Sequence, residues 1–170
     1  MVETSGLQKE SPSLLLSKVG LFAGLKDKVG AFAGLAEIMQ IKDFSLGHKL
    51  TVEGQMGDEL FILINGQVSI TKNTPEGDSY KVVILNSSIT PALGEGGLIE
   101  AEPRSATITC DTNCKCLVLT RESFLLFTEK NPEWAVPILQ KIALTLMIRL
   151  RQTSGDLMLL HKALMDEIRG

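Results

Sequence analysis

The residues with the clearest chemical potential form the run Leu93-Gly94-Glu95-Gly96-Gly97-Leu98-Ile99-Glu100-Ala101-Glu102-Pro103-Arg104-Ser105-Ala106-Thr107. Gly94, Gly96 and Gly97 let the backbone turn sharply and come close to a ligand. Leu98 to Ala101 suits about one helical turn before Pro103 ends it, and a short helix behind a glycine loop turns free N–H groups toward an anion. Arg104 falls at the start of the next strand, where its guanidinium can fork onto two phosphate oxygens. Glu95 is anionic and unsuited to phosphate, but its carboxylate accepts a hydrogen bond from a sugar hydroxyl. An acceptor and a cation nine residues apart, bridged by a glycine turn, fit a ribose fused to a phosphate.

The same run resembles the phosphate-binding cassette of the cyclic-nucleotide-binding domains, the family found in the catabolite activator protein and in regulatory subunits of the cyclic-AMP-dependent kinase. That pattern is Phe-Gly-Glu, two small or apolar residues, Leu, a variable run, then Pro-Arg-x-Ala-Thr. The sequence reproduces it from Gly94 to Thr107 without a gap. The likeness extends through Phe44-Ser45-Leu46-Gly47, Glu53-Gly54-Gln55-Met56-Gly57-Asp58 and Gly66-Gln67-Val68, and covers residues 18–153 in all.

The resemblance implies that Glu95 holds the ribose 2′-hydroxyl and Arg104 the exocyclic phosphate oxygens. Gly94, Gly97 and Leu98 would offer backbone contacts, and Ser105 a further hydrogen bond. On the long helix, Arg149, Thr153 and Ser154 repeat a local pattern that contacts adenine in the catabolite activator protein. Cyclic AMP is the ligand implied, with cyclic GMP left open by the Ser105 hydroxyl. Two departures stand out: Leu93 replaces the usual Phe, and Asn86 to Ala92 lacks the glycine that normally precedes the cassette.

These residues need a scaffold, and the rest of the chain predicts an α+β protein, a jelly-roll β-roll flanked by helices. Strand-length runs rich in β-branched and large apolar residues occupy Lys49–Glu53, Glu59–Asn65, Gln67–Thr74, Ser79–Asn86, Arg104–Cys110 and Cys114–Thr120, with turn residues between them. Gly47, Gly54, Gly57 and Gly66 are expected at turns requiring positive φ. The echo Val19-Gly20-Leu21-Phe22-Ala23-Gly24-Leu25 and Val29-Gly30-Ala31-Phe32-Ala33-Gly34-Leu35 reads as two short helical turns that dock Phe22 and Phe32 on a core. Residues 1–17 are expected to be a flexible N-terminus, 18–153 the binding domain with its roll at about 43–120 and helices at 121–153, and 154–170 a helical extension.

A helix is expected from Arg121 to Lys130, stopped by Asn131-Pro132, and a long one from about Pro137. Along it Leu139, Ala143, Leu146, Leu150, Thr153, Leu157, Leu160 and Leu164 alternate spacings of four and three, a heptad seam. Gly155 predicts a bend or fray. The seam outruns a roll of this size, so a parallel homodimer through this helix is expected, alongside an unnamed downstream protein. Only sixteen residues follow Ser154, which leads to the expectation of a stand-alone module without a helix-turn-helix domain.

Composition narrows the alternatives. The chain has 170 residues, is 44% hydrophobic and carries a net charge of −3, with 5% aromatics. It offers no general basic field for nucleic acid and few stacking rings. Its longest uncharged stretch is thirteen residues, short of a membrane span, and Met1-Val2-Glu3 opens no secretory signal, so a cytoplasmic setting is expected. Cys110, Cys114 and Cys116 are crowded, odd in number and far in sequence from His48 and His161, which favours buried structural thiols over a metal site. No nucleophile–base set is spaced for catalysis, so the chain is expected not to be an enzyme. The competing expectation is a ligand-independent scaffold that dimerises through its leucine helix.

Overall fold

The computed structural model describes residues 11–74 and 76–169. Helix α1 (Pro12–Lys18) begins where Ser11 accepts a hydrogen bond from the Leu14 N–H and Pro12 takes the first helical position, where an absent N–H costs nothing. The expected flexible N-terminus over 1–17 is thus helical from Pro12, and Leu16 is fully buried; residues 1–10 of that expectation lie outside the described part. The echoed segments become a 3-10 turn, Gly20–Leu25, and helix α2 (Ala31–Glu37). Phe22 is buried and Phe32 packs on the same cluster.

The strands among the described residues are β1 (Gln40–Phe44), β2 (Lys49–Thr51), β3 (Met56–Gly57), β4 (Glu59–Asn65), β5 (Gln67–Asn73), β6 (Ser79–Asn86), β7 (Ala92–Leu93), β8 (Glu102–Pro103), β9 (Thr107–Cys110) and β10 (Cys114–Thr120). One sheet runs β1-β10-β4-β7, a second β2-β9-β5-β6, and β3 pairs with β8. All pairings are antiparallel, so this is an α+β jelly roll.

Strands β4 and β10 are apolar on both faces because each face meets a core. Leu60, Ile62, Leu117 and Leu119 point to a cluster shared with the helices, including Phe22, Phe124 and Ile138. The alternate residues Phe61, Leu63, Cys116 and Val118 point into the roll, with Val68, Leu93, Ile108, Cys110 and Cys114. Each fully buried side chain of this kind contributes roughly 1.5–3 kcal/mol, so the two layers fix the strand register on which the site depends.

Helix α3 (Arg121–Lys130) is capped by Thr120, which accepts from the Ser123 N–H at 3.2 Å. Helix α4 (Pro132–Arg169) starts earlier than the expected Pro137, because the Asn131 carbonyl that ends α3 accepts from the Trp134 and Ala135 N–H groups. Pro132 takes a first-turn position that needs no donor. Pro137 is carried inside the helix, its ring packed against Gly24. The helix also runs unbroken through Gly155, so the expected bend or fray gives way to one helix of 38 residues, about 57 Å long. Only Ala135, Ile138 and Ile142 of α4 are buried.

Candidate functional site

The glycine run folds as the 3-10 turn Glu95–Leu98, entered through Gly94 at φ 82°. The helical turn is therefore made by the glycines themselves rather than following them. Leu98 anchors it, with its side chain fully buried in the helix-facing core. Upstream, where the glycine of the resemblance is missing, Thr90 adopts φ 45°, the left-handed region, and is buried.

Arg104 lies just past β8. Its backbone is pinned by Arg104 N–H to Gln55 O and Gly54 N–H to Arg104 O, at 2.9 and 2.8 Å. Its Nη2 donates to the Glu59 carbonyl at 2.7 Å and Nη1 to the Gly94 carbonyl at 3.3 Å. Three glycines clear the space for the guanidinium. A Cβ on Gly57 would lie 2.6 Å from its Cζ, and Cβ atoms on Gly94 and Gly97 would lie 2.6 and 2.9 Å from Nη1. Gly57 is therefore not a positive-φ turn glycine, unlike Gly47, Gly54 and Gly66; it makes room for Arg104. Burial lowers the guanidinium's pKa, while Glu59, Asp58, Glu102 and Glu95 pull it back up. It remains a cation, with donors beyond those the two carbonyls use.

Glu95 is buried. Arg149 Nη2, from α4, stands 2.6 Å from its Oε1 in an ion pair. A carboxylate has about four lone-pair sites, so lone pairs that Arg149 does not use can accept from a ligand hydroxyl. The observed residues therefore fit the group the resemblance implies: a buried carboxylate acceptor, and a cradled cation across a glycine turn.

These groups share one cleft of about 710 Å³. Gly94, Glu95, Gly97, Arg104, Ser105 and Arg149 all line it, as do Leu146 and Gln152 of α4. Ser105 sits exposed on the rim. Two expected residues are not brought together with the rest: neither Leu98, committed to the core, nor Thr153, exposed on α4, is among the lining residues. Gln152, three residues past Arg149 on α4, lines the cleft instead.

Sequence reasoning missed Ile70, Lys72, Val82, Val83 and Gln152 on the cleft walls. The available signals were the two-residue step from Ile70 to Lys72 on β5 and the three-residue steps Leu146–Arg149–Gln152 on α4. Away from the cleft, Cys110, Cys114 and Cys116 are buried free thiols, as expected. Among the described residues no His, Cys, Asp and Glu cluster could hold a metal ion.

Residues 41–131 match the cyclic nucleotide-binding domain, and the chain belongs to that family. A CRP-like cAMP-activated global transcriptional regulator of Mycobacterium tuberculosis is 29% identical over 143 residues, covering 84% of this chain. The chain spans 60% of that relative's length. The N-terminal domain of a transcriptional regulator from Streptomyces coelicolor A3(2) superposes with a TM-score of 0.69 at 29% identity, over 84% of this chain and 94% of that one. The regulatory domain of Toxoplasma gondii PKA, crystallised with cAMP, gives a TM-score of 0.62 at 28% identity, over 74% of this chain and 46% of that one.

Proposed function

We propose that the chain is a non-catalytic cytoplasmic sensor that binds a 3′,5′-cyclic nucleotide, cyclic AMP, in this cleft and passes the occupancy to α4. Glu95 accepts a hydrogen bond from the ribose 2′-hydroxyl. Arg104 forks onto the exocyclic phosphate oxygens, with Gly94 and Gly97 offering backbone contacts and Ser105 a hydroxyl. The reading is carried by the convergence of a buried carboxylate and a cradled guanidinium on one cleft. It is supported by the relatives whose names record cAMP.

Arg149 supplies the link to α4. It rests on the carboxylate the ribose would use, so an arriving hydroxyl changes what the helix is tied to. A ligand shifts α4 only by its differential affinity for the two helix positions, and about 1–3 kcal/mol suffices for regulation. Isothermal titration with cyclic AMP and cyclic GMP tests the reading. Binding of cyclic AMP that Arg104→Ala abolishes is expected; no heat and no thermal shift with either nucleotide would refute it.

A second element follows from the exposed distal half of α4. Leu146, Leu150, Leu157, Leu160 and Leu164 of the seam are 46–69% exposed. An isolated amphipathic helix gains most of its stability from packing, so α4 pairs in parallel with α4 of a second copy. If the chain instead serves as a ligand-independent scaffold, its mass by size exclusion with light scattering is dimeric and indifferent to nucleotide, with no calorimetric binding. No described helix is long and apolar enough to cross a membrane.

A further inference from the structure

The cleft lining carries two acids, Glu95 and Glu102. Arg149 offsets the charge of Glu95 at 2.6 Å. Among the described residues Glu102 forms no ion pair; the pairs are Lys42–Glu59, Lys115–Asp43 and Arg149–Glu95. Its backbone is held in β8, opposite Gly57 of β3, and its carboxylate reaches over the glycine turn. A Cβ on Gly96 would overlap the Glu102 Oε1, and one on Gly97 would lie 2.9 Å from Arg104 Nη1. The carboxylate and the guanidinium therefore flank successive glycines, whose Cα atoms stand about 3.8 Å apart. Glu102 is also one of the four carboxylates that pull the Arg104 pKa up.

A phosphate seated on Arg104 must then lie on the order of 6 Å from an uncompensated negative charge. That charge opposes every anion entering the turn, and the ribose does not need it, because Glu95 serves the hydroxyl. Its effect is nevertheless selective, since Coulomb repulsion grows with the charge of the ligand. A cyclic phosphodiester has no second proton to lose and carries a single negative charge. A phosphomonoester ionises again near pH 6 and carries about −1.5 to −2 at pH 7. Opening cyclic AMP to adenosine 5′-monophosphate keeps the base and the 2′-hydroxyl. The added charge falls at the glycine turn, where Glu102 meets it.

We infer that Glu102 is a charge filter: its carboxylate admits a singly charged cyclic phosphodiester to the Arg104 cradle and rejects doubly charged phosphomonoesters. This rests on the proposed function and adds the element that separates the cyclic ligand from its own ring-opened product. At about 6 Å each unit of ligand charge changes affinity about threefold under full solvent screening, and more where the cleft excludes water. Glu102 is exposed, which places the effect at about threefold to tenfold per charge.

Displacement of a fluorescent cyclic AMP analogue from the full chain tests the assignment, with the analogue's own affinity measured for each protein. The competitors are cyclic AMP, adenosine 5′-monophosphate and the methyl ester of that monophosphate, which is open yet singly charged. Glu102→Gln keeps the size of an exposed side chain and removes its charge. It should tighten cyclic AMP and the methyl ester about threefold to tenfold, and adenosine 5′-monophosphate by roughly the square of that factor. A gain for the monophosphate no larger than the gain for its methyl ester overturns the inference. So does a monophosphate that displaces nothing from either protein, since the ring geometry alone then excludes it. An analogue that binds neither protein would instead bring down the proposed function itself.

Discussion

The glycine at position 57 separates the cost of misplacing Arg104 from the cost of disturbing the fold. A Cβ there would overlap the Arg104 guanidinium, 2.6 Å from Cζ and 2.7 Å from Nη2. Gly57 is not among the described glycines with positive φ. Alanine is therefore compatible with its backbone, and restricting the unfolded chain returns about 0.4–1 kcal/mol of stability. The atoms that must yield belong to the end of a flexible side chain, so Arg104 swings away rather than the strand. It loses the Glu59 and Gly94 carbonyls but regains water, so Gly57→Ala should change stability by no more than about 1 kcal/mol. The phosphate contact has no such replacement. A hydrogen bond to a charged group contributes about 1.5–3 kcal/mol, so cyclic AMP affinity should fall about 10- to 150-fold. Titration calorimetry beside urea denaturation measures both quantities. Gly47→Ala is the inverse control: at φ 82° with nothing within 4 Å, it should lose about 1–2 kcal/mol of stability and keep its affinity. Affinity for Gly57→Ala within threefold of wild type would refute the claim that the guanidinium must occupy this cradle.

Three further outcomes are expected. Gly155→Ala, in mid-helix with open space around it, should stabilise α4 by about 1 kcal/mol, seen as a higher melting temperature; no gain would mean that residue 155 is not helical in solution. Leu157→Lys should convert the dimer to a monomer by sedimentation velocity without loss of cyclic AMP binding, and an unchanged mass would remove α4 as the interface. Burial pushes the Cys116 thiol up to about 12 and raises Cys110 as well, each helped by neighbouring thiols. The folded state thus holds protons that the unfolded state releases above about pH 9, so this stability is full below pH 9 and falls as pH rises toward 12. Urea midpoints should drop between pH 8 and pH 10, less so in Cys116→Ala; an equal drop in the variant would contradict the assignment.

Strands β4, β6 and β10 match the sequence expectation residue for residue, because alternating or continuous apolar runs end there in turn chemistry that admits no extension. The two-residue strands β3, β7 and β8 left no trace of periodicity; β3 and β8 pair beside the backbone bonds of Arg104 to Gln55 and Gly54, and β7 lies on β4. Pro132 and Pro137 carried a misleading signal for α4. A proline can open a helix as readily as close one, and only the carbonyl of Asn131 and the packing against Gly24 decide between the two. Thr90 shows the converse: its left-handed backbone lies where glycine was missed, held by burial rather than by residue type.

Glu95 and Arg104 were legible as a pair because they lie nine residues apart in one glycine-containing run, while the α4 side of the cleft was not, because it depends on where α4 crosses the roll. That crossing also sets the mechanical advantage of the proposed sensor. The last buried residue of α4 is Ile142, and Arg149 lies seven residues beyond it, about 10.5 Å along the axis. The helix end at Arg169 is 27 residues from the same pivot, about 40 Å. A rigid helix turning about Ile142 therefore multiplies displacement nearly fourfold, and a shift of about 1 Å at Arg149 becomes about 4 Å at Arg169. Because the seam leucines lie along this outer arm, a change at one buried carboxylate would be read as a change in how two helices meet.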